Sequence, residues 1–292
     1  MKKKRCLICK NKFLDYVHLG NHPCADTFTK KKDSALKLKK YPLIVGYCTC
    51  NHLSSIYNIS PYERYIKTNY SYTSDNSPVS QKHFKDIALK IIKKFKINKT
   101  KSVIEIGSND GTFLKLIKDN SNSKVLGVDP SNVMCKLANK KKINSINIFF
   151  NQSNSNKIQK KYGKFDILYG ANVFNHVDDP IDFLTGCKNI VKKNGIIILE
   201  VPDLDSLFKN VGFDTIYHEH RNYFSRQSII TVFRKINLNI LKIDNINYMA
   251  GSLRVYAINQ KSENKLESKN NFKKLKYNFI NFKNRIFLVK KK

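Results

Sequence analysis

Val103-Ile104-Glu105-Ile106-Gly107-Ser108-Asn109-Asp110-Gly111-Thr112-Phe113-Leu114 reads as a short apolar strand, a tight turn and the first turn of a helix. Gly107 and Gly111 let the backbone approach a ligand closely, and the helix start offers free N–H groups. Their spacing is neither the dinucleotide G-x-G-x-x-G nor the phosphate-loop G-x-x-x-x-G-K-[ST]. Asp110, inside the turn, would repel a pyrophosphate; it suits a ligand with a cationic or hydroxyl-rich portion. The next strand ends in Gly127-Val128-Asp129-Pro130, where an acidic side chain can accept both hydroxyls of a ribose. Adenosine without phosphate, joined to a charged amino-acid part, points to S-adenosylmethionine.

Outward from this turn, strands and helices alternate. Ile87, Ile91 and Phe95 recur at helical spacing from His83 onward, with Lys90, Lys93 and Lys94 on the other face. Strands are expected at Ser102–Ile106, Lys124–Val128, Ile146–Phe150, Phe165–Tyr169 and Ile196–Val201, with helices from Thr112, Ser131 and Pro180. A helix, Gln227–Lys235, and two strands, Ile240–Ile246 and Ser252–Ile258, follow. Short apolar strands separated by helices imply βαβ units and a doubly wound parallel sheet from about residue 83 to 259.

The 292 residues, 41% of them hydrophobic, suffice for a real core and exclude wholesale disorder. Lys and Arg number 54 against 22 Asp and Glu, a net charge of +32. The lysines run from Lys2 to Lys292 without forming one basic segment, whereas a nucleic-acid footprint is a cluster or stripe, so no specific nucleic-acid partner is expected. No window approaches the roughly 20 apolar residues of a membrane span, the best run being Gly195 to Val201. Met1 to Arg5 is basic like the start of a signal peptide, but Cys6, Cys9, Lys10, Asn11 and Lys12 stand where its apolar part should be. A soluble cytoplasmic protein is therefore expected, without a membrane partner. Oligomeric state leaves no trace in the sequence.

Seven cysteines include five, Cys6, Cys9, Cys24, Cys48 and Cys50, within the first fifty residues. Without an export signal, such crowding reads as metal binding before disulfides. A segment this small lacks a core of its own and needs a staple, for which zinc is the obvious ion. Beyond it, Tyr62 to Ser80 is both aromatic and polar, with Tyr70, Tyr72, Ser74 and Ser77. The tail from Lys261 is highly charged, with Phe272, Phe279, Phe282 and Phe287 as apolar anchors, and reads as a helical start without a body.

Two further segments carry chemistry. After the fourth strand, Asn172 and His176 stand where the methionine part of the donor and the acceptor would meet. The Asn or Asp with two prolines and an aromatic, often found here in enzymes that methylate planar nitrogen, is missing. After the fifth strand comes Asp214-Thr215-Ile216-Tyr217-His218-Glu219-His220-Arg221, four of whose consecutive side chains are poor packing material. In an extended loop Tyr217 and Glu219 would point one way and His218 and His220 the other, a spacing that could pair a base with a carboxylate or hydroxyl. An H-x-H metal site through His218 and His220 and a merely solvated loop are the competing readings.

Cys6-x-x-Cys9, Tyr41-Pro42-Leu43, the cysteines before His52-Leu53, Asn69-Tyr70-Ser71-Tyr72-Thr73-Ser74, Glu105 to Gly111, Gly127 to Pro130, Asn172 to Val177, Tyr217 to His220 and Gly251-Ser252-Leu253-Arg254, in this order, resemble the zinc-containing nucleotide-sugar C-methyltransferases. The resemblance runs from residue 6 to about 259. It implies a class I methyltransferase fold, Rossmann-like with an antiparallel last strand, preceded by a small zinc-binding domain. Domains would be 1–69 (zinc-binding), 70–259 (methyltransferase) and 260–292, the start of a truncated C-terminal domain or a linker helix. It also implies methyl transfer from S-adenosylmethionine to carbon 3 of a nucleotide-linked 4-keto-6-deoxy sugar. His220 would be the general base, Tyr217 would hydrogen-bond the developing oxyanion, Glu219 would orient base or substrate, and Tyr70 or Tyr72 would close over the site. Glu105, Gly107, Ser108, Asn109, Asp110, Gly111, Asp129, Pro130, Asn172 and His176 would surround the donor. Cys6, Cys9, Cys48 and Cys50 would hold the zinc, although Cys48-Thr49-Cys50 replaces the family's C-x-x-C, so that His52 or Cys24 could substitute. Two other classes fit less of the pattern: a small-molecule O- or N-methyltransferase on the same scaffold, and a basic zinc-ribbon nucleic-acid module with an inert body.

Overall fold

The structure, a computed structural model, describes residues 5–25, 27–66, 72–260 and 272–290. The strands in chain order are β1 (Asp15–His22), β2 (Tyr41–Tyr47), β3 (His52–Ser55), β4 (Ser102–Ile106), β5 (Lys124–Asp129), β6 (Ser145–Asn147), β7 (Phe165–Ala171), β8 (Val191–Pro202), β9 (Asn222–Phe224), β10 (Asn239–Ile246) and β11 (Ser252–Ile258). Seven of them form one sheet in the order β10-β11-β8-β7-β4-β5-β6. Strands β4 to β8 run parallel, while β11 is antiparallel to β8 and β10 to β11. This is the doubly wound sheet expected, with β11, the last strand of the chain, the one that runs against the others. Because β4 has β5 on one side and β7 on the other, the chain changes direction beside it and leaves a crevice at the carboxyl ends.

Alternation along β4 assigns each residue to a layer. Val103 packs with Phe84, Ile87 and Ile91 of the helix Pro78–Phe95 and with Phe113, Leu114 and Ile117 of the helix Thr112–Ser121. Ile104 and Ile106 face the opposite layer, with Phe183, Leu184 and Cys187 of the helix Pro180–Ile190 and Ile229, Val232 and Phe233 of the helix Arg226–Lys235. The first of these helices begins before His83, because Ser77 caps it by accepting from the Ser80 amide and Pro78 sits in its first turn.

Two elements differ from the sequence reading. The strand expected at Ile146–Phe150 stops at Asn147, and a helix, Gln152–Tyr162, follows that the hydrophobic pattern did not announce. Its buried face is only Ser155 and Ile158, too thin a stripe to read; the Asn151 cap supplies the start signal.

The other four strands form an antiparallel sheet, β1-β2-β3-β9. Its last strand comes from residues 222–224, so the division at residue 69 follows the chain but not the sheet. Against it lies the helix Phe272–Lys290, whose Leu275, Phe279, Phe282 and Ile286 pack with Tyr47, Leu53, Leu207 and Phe208. Phe279 stacks on Tyr47 at 4.7 Å between ring centres, and Lys283 pairs with Asp15 at 2.7 Å. The tail therefore has a body to pack on, the small sheet; the side chains of Phe272 and Phe287 lie outside the described residues. Among the described residues no helix is long and apolar enough to cross a membrane.

Candidate active site

A cavity of about 860 Å³ opens at the carboxyl ends of β4, β5 and β7, closed in by Pro61, Arg64, Tyr65, Tyr72 and Ser74 and by Asp214, Thr215, Tyr217, Glu219 and His220. Its donor side is made largely of backbone. Gly107 turns at φ 71°, and a Cβ there would come within 3.1 Å of Val173, so only glycine leaves the crevice open. The Asn109 amide donates to one oxygen of Asp129 at 2.9 Å and the Ser131 amide to the other at 2.8 Å. Burial pushes the Asp129 carboxyl up to about 6 in spite of these two donors.

Two polar atoms on this wall are buried and have no protein partner among the described residues: Oε2 of Glu105 and Oδ1 of Asn172. Burial, with Asp110 and Asp129 nearby, holds the Glu105 carboxyl well above the usual carboxylate range. Asn172 is held in the left-handed region, φ 52°, at the end of β7. Buried acceptors left open cost free energy unless a ligand donates to them. Ile148, Phe149 and Phe150, just past β6, add an apolar wall that sequence reasoning missed because the strand was drawn through them.

Of the donor residues read from the sequence, Glu105, Gly107, Asn109, Asp129, Pro130, Asn172 and His176 line the cavity, and Ser108, Asp110 and Gly111 do not. Asp110 is buried and bound by Lys141 at 2.7 Å and by the Thr112 hydroxyl at 2.9 Å. The cation it suits is thus internal. Ser108 bonds Ser145 at 3.1 Å beneath the turn. Gly111, at φ 78°, is needed for packing, since a Cβ there would come 3.0 Å from that of Ala138. Lys141 also reaches Asp75 at 3.0 Å, and Asn109 donates to the Tyr72 carbonyl at 2.9 Å, so residues 72–75 are latched over the turn.

On the acceptor side Nδ1 of His220 lies 2.8 Å from the Thr215 carbonyl, which can only accept, so Nδ1 carries the proton. Nε2 is then the acceptor, and the Tyr217 hydroxyl donates to it at 2.8 Å. Burial lowers the His220 ring to about 4, so it is neutral at pH 7. Glu219 and Tyr72 line the same wall, while Tyr70 lies outside the described residues. His218 turns away to the Tyr41 carbonyl at 3.2 Å, so the H-x-H pair holds no common ligand point. His176, read from the sequence as standing where donor and acceptor meet, lines the cavity with its ring 4.8 Å from that of His220. Gly251 to Arg254 serves the core: Arg254 donates to Glu200 at 2.6 Å, whose other oxygen meets His83 at 2.7 Å.

Sequence reasoning also missed Arg64, Tyr65 and Asp178. Arg64 and Arg221, both buried, converge on one oxygen of Asp178 at 2.7 and 3.0 Å and tie residues 62–66 to the larger sheet. No periodicity marks Tyr62-Glu63-Arg64-Tyr65, and the aromatic stretch drew attention to Tyr70 and Tyr72 instead.

Away from the cavity, Cys6, Cys9, Cys48 and Cys50 bring four sulfurs within 4.8 Å of one another, with Cys6–Cys48 at 3.2 Å, Cys48–Cys50 at 3.0 Å and Cys6–Cys50 at 3.8 Å. Around a tetrahedral ion at about 2.3 Å the sulfurs stand roughly 3.8 Å apart, so the cluster has the right size. The turn that carries the C-x-C pair is closed by Asn51, at φ 55°, whose amide donates to the Cys48 carbonyl at 3.1 Å. Neither expected substitute is required: His52 bonds Asn222, and Cys24 packs with Tyr41 and Ile59.

A family model described as a methyltransferase domain matches residues 80–243. The C-methyltransferase NovU of Streptomyces niveus is 28% identical over 253 residues, which cover 86% of this chain and 60% of that protein. The ubiquinone biosynthesis O-methyltransferase of Pelagibacter ubique (strain HTCC1062) is 25% identical over 189 residues, 59% of this chain and 77% of its own. Among solved structures, the plantazolicin methyltransferase BpumL in complex with SAH aligns with a TM-score of 0.50 at 15% identity, over 63% of this chain and 85% of that one. The chain thus spans about 60% of the length of NovU.

Proposed function

The chain belongs to the methyltransferase-domain family and is an S-adenosylmethionine-dependent methyltransferase, and from that premise we propose that it methylates carbon, next to the ketone of a nucleotide-linked 4-keto-deoxysugar. The observation that carries the reading is the Thr215–His220–Tyr217 chain, a neutral imidazole paired with a phenol on the wall facing the donor crevice. Carbon beside a ketone is a nucleophile only after it loses a proton and the resulting oxyanion is stabilised. A hydroxyl or amine acceptor needs no oxyanion donor, so this pairing suits carbon.

The donor crevice fits the donor. Glu105 and Asn172 present buried acceptors to a positively charged amino-acid part, Asp129 presents a carboxylate to a ribose, and Gly107 keeps the space open. When bound, S-adenosylmethionine supplies an electrophilic methyl on a positive sulfur. The rest is done by residues of the chain. Nε2 of His220 takes the proton from the sugar carbon, and its electron pair moves onto the ketone oxygen. The Tyr217 hydroxyl, which rests on Nε2, is set to turn to that oxygen, a single exchange that frees the base and stabilises the charge. Thr215 holds the ring in the required tautomer throughout. Glu219 lies beside them to orient base or substrate.

The test is product analysis with a ¹³C-methyl donor and nucleotide-linked 4-keto-6-deoxyhexoses. The expected NMR signal is a methyl bonded to carbon; a methyl on oxygen or nitrogen refutes the reading. The small sheet carries a second part of the proposal, a structural zinc on Cys6, Cys9, Cys48 and Cys50. Metal analysis should give one zinc per chain, and a chelator should lower the melting temperature, because metal binding is coupled to folding.

A further inference from the structure

We infer that Tyr65 is a positioning residue for the base: its phenol fixes the tautomer of His176, whose segment holds the loop that carries His220. What His220 does with that support rests on the C-methyltransfer reading above.

Tyr65 belongs to the turn Tyr62–Ile66, far from His176 in the sequence, yet its hydroxyl lies 3.0 Å from Nδ1 of His176. The direction of that bond follows from the neighbour. Nη1 of Arg64 stands 3.5 Å from the same hydroxyl, and a guanidinium only donates, so the phenol proton has Nδ1 of His176 as its acceptor within reach, and we assign it there. Arg64 is fully engaged: it donates to the carbonyls of Ile59 at 3.0 Å and His176 at 3.1 Å and to Asp178 at 2.7 Å. Burial raises the Tyr65 phenol, which keeps its proton as a donor must.

With Nδ1 accepting, a neutral His176 carries its proton on Nε2, and the ring packs edge-on against that of His220 at 4.8 Å and 76°. The same segment holds the loop through the Asn175 carbonyl, which accepts from the Arg221 amide at 2.8 Å, one residue after His220. The groups facing His176 are Arg64 and Tyr65 from the turn, Asp178 on its own segment, and Glu219, His220 and Tyr217 from the loop. Burial, with His220 and Arg64 beside it, holds the His176 ring well below the ordinary histidine value. Neutrality matters, because a cation 4.8 Å from His220 would oppose its taking a proton. The two imidazoles therefore stand side by side in opposite tautomers, Nε2–H on His176 and Nδ1–H on His220.

The test uses the full chain with ¹⁵N-labelled histidines and long-range proton–nitrogen correlation of the rings, without substrate. The wild-type spectrum should show both rings neutral from pH 5 to 8 and in opposite tautomers. In Tyr65→Phe the Nδ1 signal of His176 should move toward that of an unbonded nitrogen. The acid limb of kcat/KM should shift to higher pH and kcat fall about tenfold, with donor affinity unchanged. A proton on Nδ1 of His176 in the wild type, or an unmoved Nδ1 signal and pH profile in Tyr65→Phe, overturns the inference. The wild-type spectrum decides the tautomers by itself, so the inference stays testable should the variant not fold. Opposite tautomers in a chain that methylates oxygen would refute the C-methyl reading instead.

Discussion

The donor side of the cavity comes mainly from one continuous stretch, residues 105–130, whereas the acceptor side gathers Arg64, Tyr65, Tyr72, residues 176–178 and residues 215–220 from separate parts of the chain. The donor side is a strand, a glycine turn and the next strand end, with Asp129 as its principal polar side chain. The acceptor side is made of side chains that hold one another: Thr215 on His220, His220 on Tyr217, Tyr65 on His176. A backbone-built wall binds what many enzymes share, and a side-chain wall chooses the chemistry. If so, the two sides are separable by mutation.

His220→Asn should show the largest effect. It removes the proposed proton acceptor and leaves the residues of the donor crevice in place, so turnover should fall by about 10²- to 10⁴-fold. Donor affinity by calorimetry should stay within about twofold. A loss of both would mean that the two walls are one cooperative unit and that the division is false. Asp129→Ala should do the reverse. Removing a carboxylate that accepts two backbone amides and faces the ligand should weaken donor binding by about 10- to 100-fold, the worth of one or two charge-assisted hydrogen bonds. Turnover at saturating donor should hold. A variant that binds donor normally would remove Asp129 from the site.

The same division explains what the sequence could disclose. The turn at Gly107 and the strand ending in Asp129 are local, so residue type and spacing carry them directly. Their reading erred at Ser108, Asp110 and Gly111, which lie off the cavity because their partners, Ser145, Lys141 and Ala138, come from later elements that spacing cannot place. Strand β9, three residues long, is too short for a pattern, and its pairing with β3 joins segments some 170 positions apart. Tyr65 and Arg64 carry no periodic signal, and they enter the site only because Asp178 and His176 come to meet them. The cysteine cluster was legible because cysteines are rare residues and stand here in a recognisable crowd, and the four sulfurs do come together.

Acid provides the mildest way to separate the two walls, because their key groups titrate in different ranges. Burial raises the Asp129 carboxyl to about 6 and lowers the His220 ring to about 4. Below pH 6 Asp129 gains a proton and ceases to be a full acceptor, so donor affinity should fall, by about tenfold per pH unit at most. His220 stays unprotonated until pH 4, so kcat at saturating donor should persist over the same interval. Stability runs the opposite way for Asp129. Its folded value lies above the unfolded one, so its contribution to stability is fullest below pH 4 and is lost as pH rises through 6. For His220, whose folded value lies below the unfolded one, the contribution is present above about 6.5 and is lost as pH falls through 4. Between pH 6 and pH 4 the donor KM should therefore climb while kcat holds. Parallel declines of kcat and donor affinity from pH 6 downward would show that one ionisation governs both walls.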